Sequence, residues 1–156
     1  MKKLLISFAV IAVALLLWLF LSGSQKMSDQ LYADNPHVRA VAPGQDRTAG
    51  FFTLINPTDN ACKLISATAD IADRVEFHSH QHMDNMVMMR PVDSIYVPAA
   101  SDVALQPGGL HLMLFGVQPS AAKNTQITIE TDQCGTLSFS APIMAMGAAH
   151  KEAMHH

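Results

Sequence analysis

Four residues with metal-binding side chains recur at wide, unequal intervals through the middle of the chain. His78 is followed after ten intervening residues by Met89; twenty-one more lead to His111, and Met113 stands one residue beyond a single Leu. Two imidazoles and two thioethers make a donor set for a soft, singly charged ion. Thioether sulfur is a poor ligand for Ca²⁺, Mg²⁺ or catalytic Zn²⁺ and a good one for Cu(I). All four donors are neutral, so a site built from them keeps the ion's single charge. Met and His also avoid a loss that paired Cys ligands would meet in an oxidising compartment, where thiols go to disulfide. Acid should weaken such a site through His78 and His111, because only neutral imidazole binds metal.

Donors so far apart in sequence need elements that hold one face to the core and offer the other. A strand does this with its period of two. Over residues 110–115, His111, Met113 and Phe115 share one face and Leu110, Leu112 and Leu114 the other. The His-x-Met pair then sits about 7 Å apart along the strand. Over residues 74–80, Val75 and Phe77 oppose Glu76, His78 and His80 in the same way. Cys62, Leu64, Ser66 and Thr68 alternate against Lys63, Ile65 and Ala67, while Ile127, Ile129, Leu137 and Phe139 mark the buried side of a closing hairpin. Pro57-Thr58-Asp59-Asn60 and Gln106-Pro107-Gly108-Gly109 are turn signals, the second being the strongest in the chain. Residues 25–46 are polar and read as a linker into a first short strand at 38–42. Residues 79–88 read as a loop or hairpin tip over the candidate site. Eight or nine short strands, with no helical period after residue 21, predict an all-β sandwich or barrel.

The quartet and its surroundings resemble the periplasmic copper chaperone family called PCuAC. That family's signature is a His, ten residues, a Met, twenty-one residues, then His-x-Met, matched here by His78, Met89, His111 and Met113 without a gap. The similarity extends through Val75-Glu76-Phe77-His78, Met89-Arg90-Pro91-Val92, Pro107-Gly108-Gly109-Leu110-His111-Leu112-Met113 and Ala49-Gly50-Phe51-Phe52, and covers about residues 35–142. Asn85-Met86 departs from the pattern, since the family often has Gly there. The resemblance implies a cupredoxin-like Greek-key β-sandwich, no enzymatic activity, and a Cu(I) cargo delivered to the CuA centre of cytochrome c oxidase or to another copper chaperone. Sequestration of copper or silver in metal resistance is the alternative that the same ligands allow.

Further His and Met residues surround this core. His80, His82 and Met83 are candidates for auxiliary ligands, whereas Met86 and Met88 read as lining. Met144, Met146, His150, Met154, His155 and His156 form a second concentration near the chain end, able to take Cu(II) on imidazole or Cu(I) on thioether. The expected division is therefore a leader at 1–24, a linker at 25–35, the copper-binding domain at 36–142 and a Met/His-rich tail at 143–156.

Lys2 and Lys3 precede an unbroken apolar run at residues 4–21, closed by Ser22-Gly23-Ser24. This is an export signal, either cleaved after the small residues or kept as a membrane anchor helix. Nothing else in the chain points to a membrane, and the absence of Cys just after the run excludes a lipid anchor. Cys62 and Cys134 form an even pair in an exported domain, which favours a disulfide over two small buried thiols. Charged residues make up only 15% of the 156-residue chain and the net charge is −3, which argues against nucleic acid as a partner. A blue-copper centre needs a Cys thiolate beside two His, and no His follows Cys134 closely. No hydrolase or metalloprotease motif is present.

Overall fold

The computed structural model describes residues 30–83, 86–118 and 122–145. The 1–24 leader and the tail candidates Met146, His150, Met154, His155 and His156 lie outside the described residues. Ten strands follow one another: β1 (Tyr32–Arg39), β2 (Arg47–Asn56), β3 (Cys62–Ala69), β4 (Arg74–Met83), β5 (Met86–Pro91), β6 (Ile95–Val97), β7 (Ser101–Leu105), β8 (His111–Phe115), β9 (Asn124–Thr131) and β10 (Thr136–Met144). The described residues contain no helix, as the alternation predicts.

Hydrogen bonds run through the strands in the order β5-β4-β8-β2-β1-β10-β9-β3-β6, with β7 also on β2. β8 and β7 take successive halves of one edge of β2, and β1 takes the other edge. The parallel β1–β10 pairing then carries the ladder into the second sheet. Side chains from both sheets meet in one core, with Leu54, Leu112 and Leu114 from the first and Leu64, Ile127 and Ile129 from the second, all fully buried. Each such side chain contributes about 1.5–3 kcal/mol relative to an exposed position.

Several expectations shift on inspection. β1 begins at Tyr32, inside the stretch read as a linker, and ends at Arg39, short of the expected 42. Its polar composition and Pro36 hid it. Pro36 lies within a register irregularity between Asp34 and His37, where no ladder donor is required of it, and Asn35 adopts φ 48°. β3 carries a second irregularity between Leu64 and Ser66, which reverses its phase. Ala67 and Ala69 are therefore buried, and Ile65 is exposed together with Ser66 and Thr68. Residues 79–88 are mostly strand, since β4 runs to Met83 and β5 starts at Met86. β10 extends to Met144, so the tail assigned to 143–156 begins within a ladder.

Cys62 and Cys134 are joined by a disulfide, with their Cα atoms 6.0 Å apart. Cys134 lies in the turn between β9 and β10, not in a strand. That turn is held against β3 by Asp132, whose carboxylate accepts from the Lys63 amide at 2.8 Å while its own amide donates to the Lys63 carbonyl at 3.1 Å.

Candidate metal centre

The signature residues come from three neighbouring strands, β5, β4 and β8. In the β4–β8 ladder His78 lies opposite His111 and Glu76 opposite Met113. In the β4–β5 ladder His80 lies opposite Met89 and His78 opposite Pro91. Residues directly opposite share a face, so His78, Met89, His111 and Met113 all lie on one face, together with Glu76 and His80. His78 is the hub: His111 is its direct neighbour, and Met89 and Met113 are each a diagonal step away. Diagonal backbones stand about 7–8 Å apart, within reach of a thioether side chain. The reverse face buries Phe77, Leu112 and Leu114, which fixes the orientation of both strands. A one-residue slip would send every donor into the core.

The centre is graded in exposure. His111 is 2% exposed and Met89 is 52% exposed, so the site has a closed end and an open end. The His78 and His111 rings are 5.8 Å apart, and Phe115 stands 6.1 Å from His78 and Phe51 6.3 Å from His111. Burial holds the His111 imidazole below its ordinary pKa, and the nearby His80, His78 and Arg39 act in the same direction. A hydrogen bond to the Gly109 carbonyl opposes that trend without cancelling it. His111 is therefore favoured in the neutral form that binds metal.

Backbone turns set the rings. Gly109 donates to the Gln106 carbonyl at 3.0 Å across Pro107-Gly108, and Gly108 takes φ 82°. Pro followed by a left-handed Gly is the pattern of a type II turn, and it presents the Gly109 carbonyl to the site. His111 donates its Nδ1–H to that oxygen at 3.0 Å, which leaves its Nε2 lone pair free to accept. His78 is set the other way. Its Nε2–H donates to Glu76 Oε2 at 2.9 Å, while Glu76 Oε1 meets Arg74 Nε at 3.0 Å. The Arg74 guanidinium rests on the Phe115 ring, 4.5 Å from its centroid. His78 Nδ1 is buried with no hydrogen-bond partner. A buried, unpaired ring nitrogen costs about 1–3 kcal/mol, and a metal ion at this nitrogen would satisfy it. Alternation had placed Glu76 on this face, but its hold on His78 follows only from the distance.

Beside the centre opens a cleft of about 420 Å³, lined by Arg39, Arg47, Phe51, His80, Met89, Gly108, His111 and Met113 among others. Among the described residues, no group of three or more His, Cys, Asp or Glu side chains is placed to hold a metal ion. The thioethers of Met89 and Met113 add soft donors on the same face as these imidazoles, and sulfur selects Cu(I) or its soft congeners. His80 lies within the centre, its ring 5.1 Å from that of His111. His82 and Met83 belong to β4, with their side chains outside the description. Met144 ends β10 beside Arg39 of β1, one residue from Ala40 at the rim of the cleft.

The chain is similar to several known proteins. A family model described as lipoprotein LpqE-like matches residues 31–143. Among curated proteins, lipoprotein Lxx21020 of Leifsonia xyli subsp. xyli (strain CTCB07) is 24% identical over 129 residues, covering 81% of this chain and 76% of that protein. Among solved structures, the copper-bound PCuAC domain from PmoF2 superposes with a TM-score of 0.61 at 23% identity, over 74% of this chain and 93% of that one. The solution structure of CuI-DR1885 from Deinococcus radiodurans gives a TM-score of 0.60 at 28% identity, over 78% of this chain and 82% of that one.

Proposed function

The chain belongs to the LpqE-like family, of the PCuAC type, and on that premise we propose that it is an exported copper carrier that binds one Cu(I) through His78, Met89, His111 and Met113. A single observation carries the reading: two imidazoles and two thioethers from three adjacent strands share one sheet face, and one imidazole nitrogen there is buried without a partner. The copper-bound relatives with this fold support the choice of metal. His78 would bind through Nδ1 and His111 through Nε2, because the hydrogen bonds to Glu76 and Gly109 occupy the other nitrogens. The exposed Met89 gives a recipient's ligands a side from which to approach. The cargo is passed on by ligand exchange, and the CuA centre of cytochrome c oxidase is the recipient that the family resemblance favours. Both cysteines are in the disulfide, and the export signal at residues 4–21 is either cleaved or kept as an anchor. The tail's Met146, His150, Met154, His155 and His156 gather copper and pass it to the centre.

The test is an anaerobic Cu(I) titration of the full-length chain against a chromophoric chelator, with Met113→Ala and His111→Ala alongside. Loss of about tenfold or more in affinity at one site is expected in each variant; unchanged binding in both overturns the ligand assignment. Deleting residues 146–156 should lower the total copper bound per chain and leave the central site intact. Release too slow to supply an acceptor would favour sequestration over delivery.

A further inference from the structure

Three imidazoles, not two, meet on this face. The His80 ring lies 5.1 Å from that of His111, nearer than the 5.8 Å between His78 and His111. His80 and His111 both donate Nδ1–H to the carbonyl of Gly109, at 3.3 and 3.0 Å. One backbone oxygen thus holds both rings in the same tautomer and leaves both Nε2 lone pairs available to a metal. His80, Met89, His111 and Met113 line the open cleft, and His78 is not among its lining residues. The His78 side chain is only 12% exposed and is tied to Glu76. Two donor sets therefore overlap on this sheet, sharing His111 and both methionines and differing only in the imidazole contributed by β4.

We propose that His80 is the outlet ligand of the centre, an inference that rests on the Cu(I)-carrier reading. Copper held at rest by His78 moves to His80 when it is handed on. The bond from Cu(I) to His80 Nε2 forms as the bond to His78 Nδ1 breaks. The metal stays Cu(I), and the step is a ligand exchange that transfers neither a proton nor an electron. His78 and His80 are two residues apart on one strand, about 7 Å along the backbone, so the exchange requires no change of fold. Its effect is to bring the ion from a buried ring to the cleft, beside the half-exposed Met89, where a recipient can reach it.

The experiment loads the full-length chain with one Cu(I) and measures two quantities: equilibrium affinity by competition, and the rate of transfer to a bathocuproine-type chelator by stopped flow. His80→Ala should keep its affinity within about threefold of wild type and slow transfer by about tenfold or more, whereas His78→Ala should lose about tenfold or more in affinity. His80→Met, which restores a soft donor at the same place, should recover the transfer rate. An unchanged transfer rate in His80→Ala overturns the proposal. So does a loss of affinity in His80→Ala as large as that in His78→Ala, which would make His80 a resident ligand. Failure of the wild-type chain to bind Cu(I) would instead overturn the carrier reading itself.

Discussion

Replacing Glu76 by Ala should weaken Cu(I) binding through an atom that never touches the metal. The Glu76 carboxylate accepts the Nε2–H of His78 at 2.9 Å and so keeps the proton off Nδ1, the nitrogen proposed to bind copper. A hydrogen bond to a charged group contributes about 1.5–3 kcal/mol. Glu76 is one-third exposed, so the lower end applies, and 1.4 kcal/mol corresponds to a factor of ten in affinity. The expected loss is therefore about tenfold, at the lower bound for partners that orient metal-ligating histidines. Losing the exposed Arg74–Glu76 pair adds little, since such pairs contribute about 0–1 kcal/mol. Glu76→Gln separates orientation from charge, because its amide oxygen still accepts Nε2–H and should hold the affinity within about threefold. The assay is competitive Cu(I) titration paired with ¹⁵N NMR of the His78 ring in the apo protein, which reads the tautomer directly. An Ala variant with wild-type affinity and an unaltered His78 tautomer would refute the reasoning.

Three other outcomes follow from the same geometry. His111 has a lowered pKa in the folded chain, so the unfolded state binds more protons between that value and 6.5. Stability should be full above about pH 6.5 and fall as pH drops through that window; urea midpoints at pH 7 and 5 check this, and His111→Gln should flatten the difference. Leu112→Ala removes a fully buried side chain behind the ligand face and should cost about 2–5 kcal/mol in denaturant unfolding, with copper stoichiometry retained in the folded fraction. Cys62→Ser together with Cys134→Ser opens a cross-link spanning 72 residues and should cost about 4 kcal/mol by the chain-entropy relation, read from thermal or urea unfolding of the apo protein.

The shared face of the four candidate residues was legible in sequence because it depends on two local quantities, their spacing and the two-residue period of a strand. Leu112 and Leu114 fell on the buried side and His111 and Met113 on the other, as alternation requires. Features set by distant partners were not legible. β1 reads as a polar linker because its identity as a strand comes from β2 on one side and β10 on the other. The bulge near Ile65 flips the phase of β3, and no single-strand pattern shows where a ladder will skip a residue. Likewise, the sequence offers His80 only as one candidate auxiliary ligand among several. Its case depends on the Gly109 carbonyl, which the Pro107-Gly108 turn delivers from across the sheet.

Copper K-edge X-ray absorption on the full-length chain carrying one Cu(I) tests the central assignment most directly. Sulfur and imidazole nitrogen together in the coordination shell are expected, with the sulfur contribution reduced in Met113→Ala and again in Met89→Ala. A shell of nitrogen and oxygen alone, unaffected by either substitution, would contradict it.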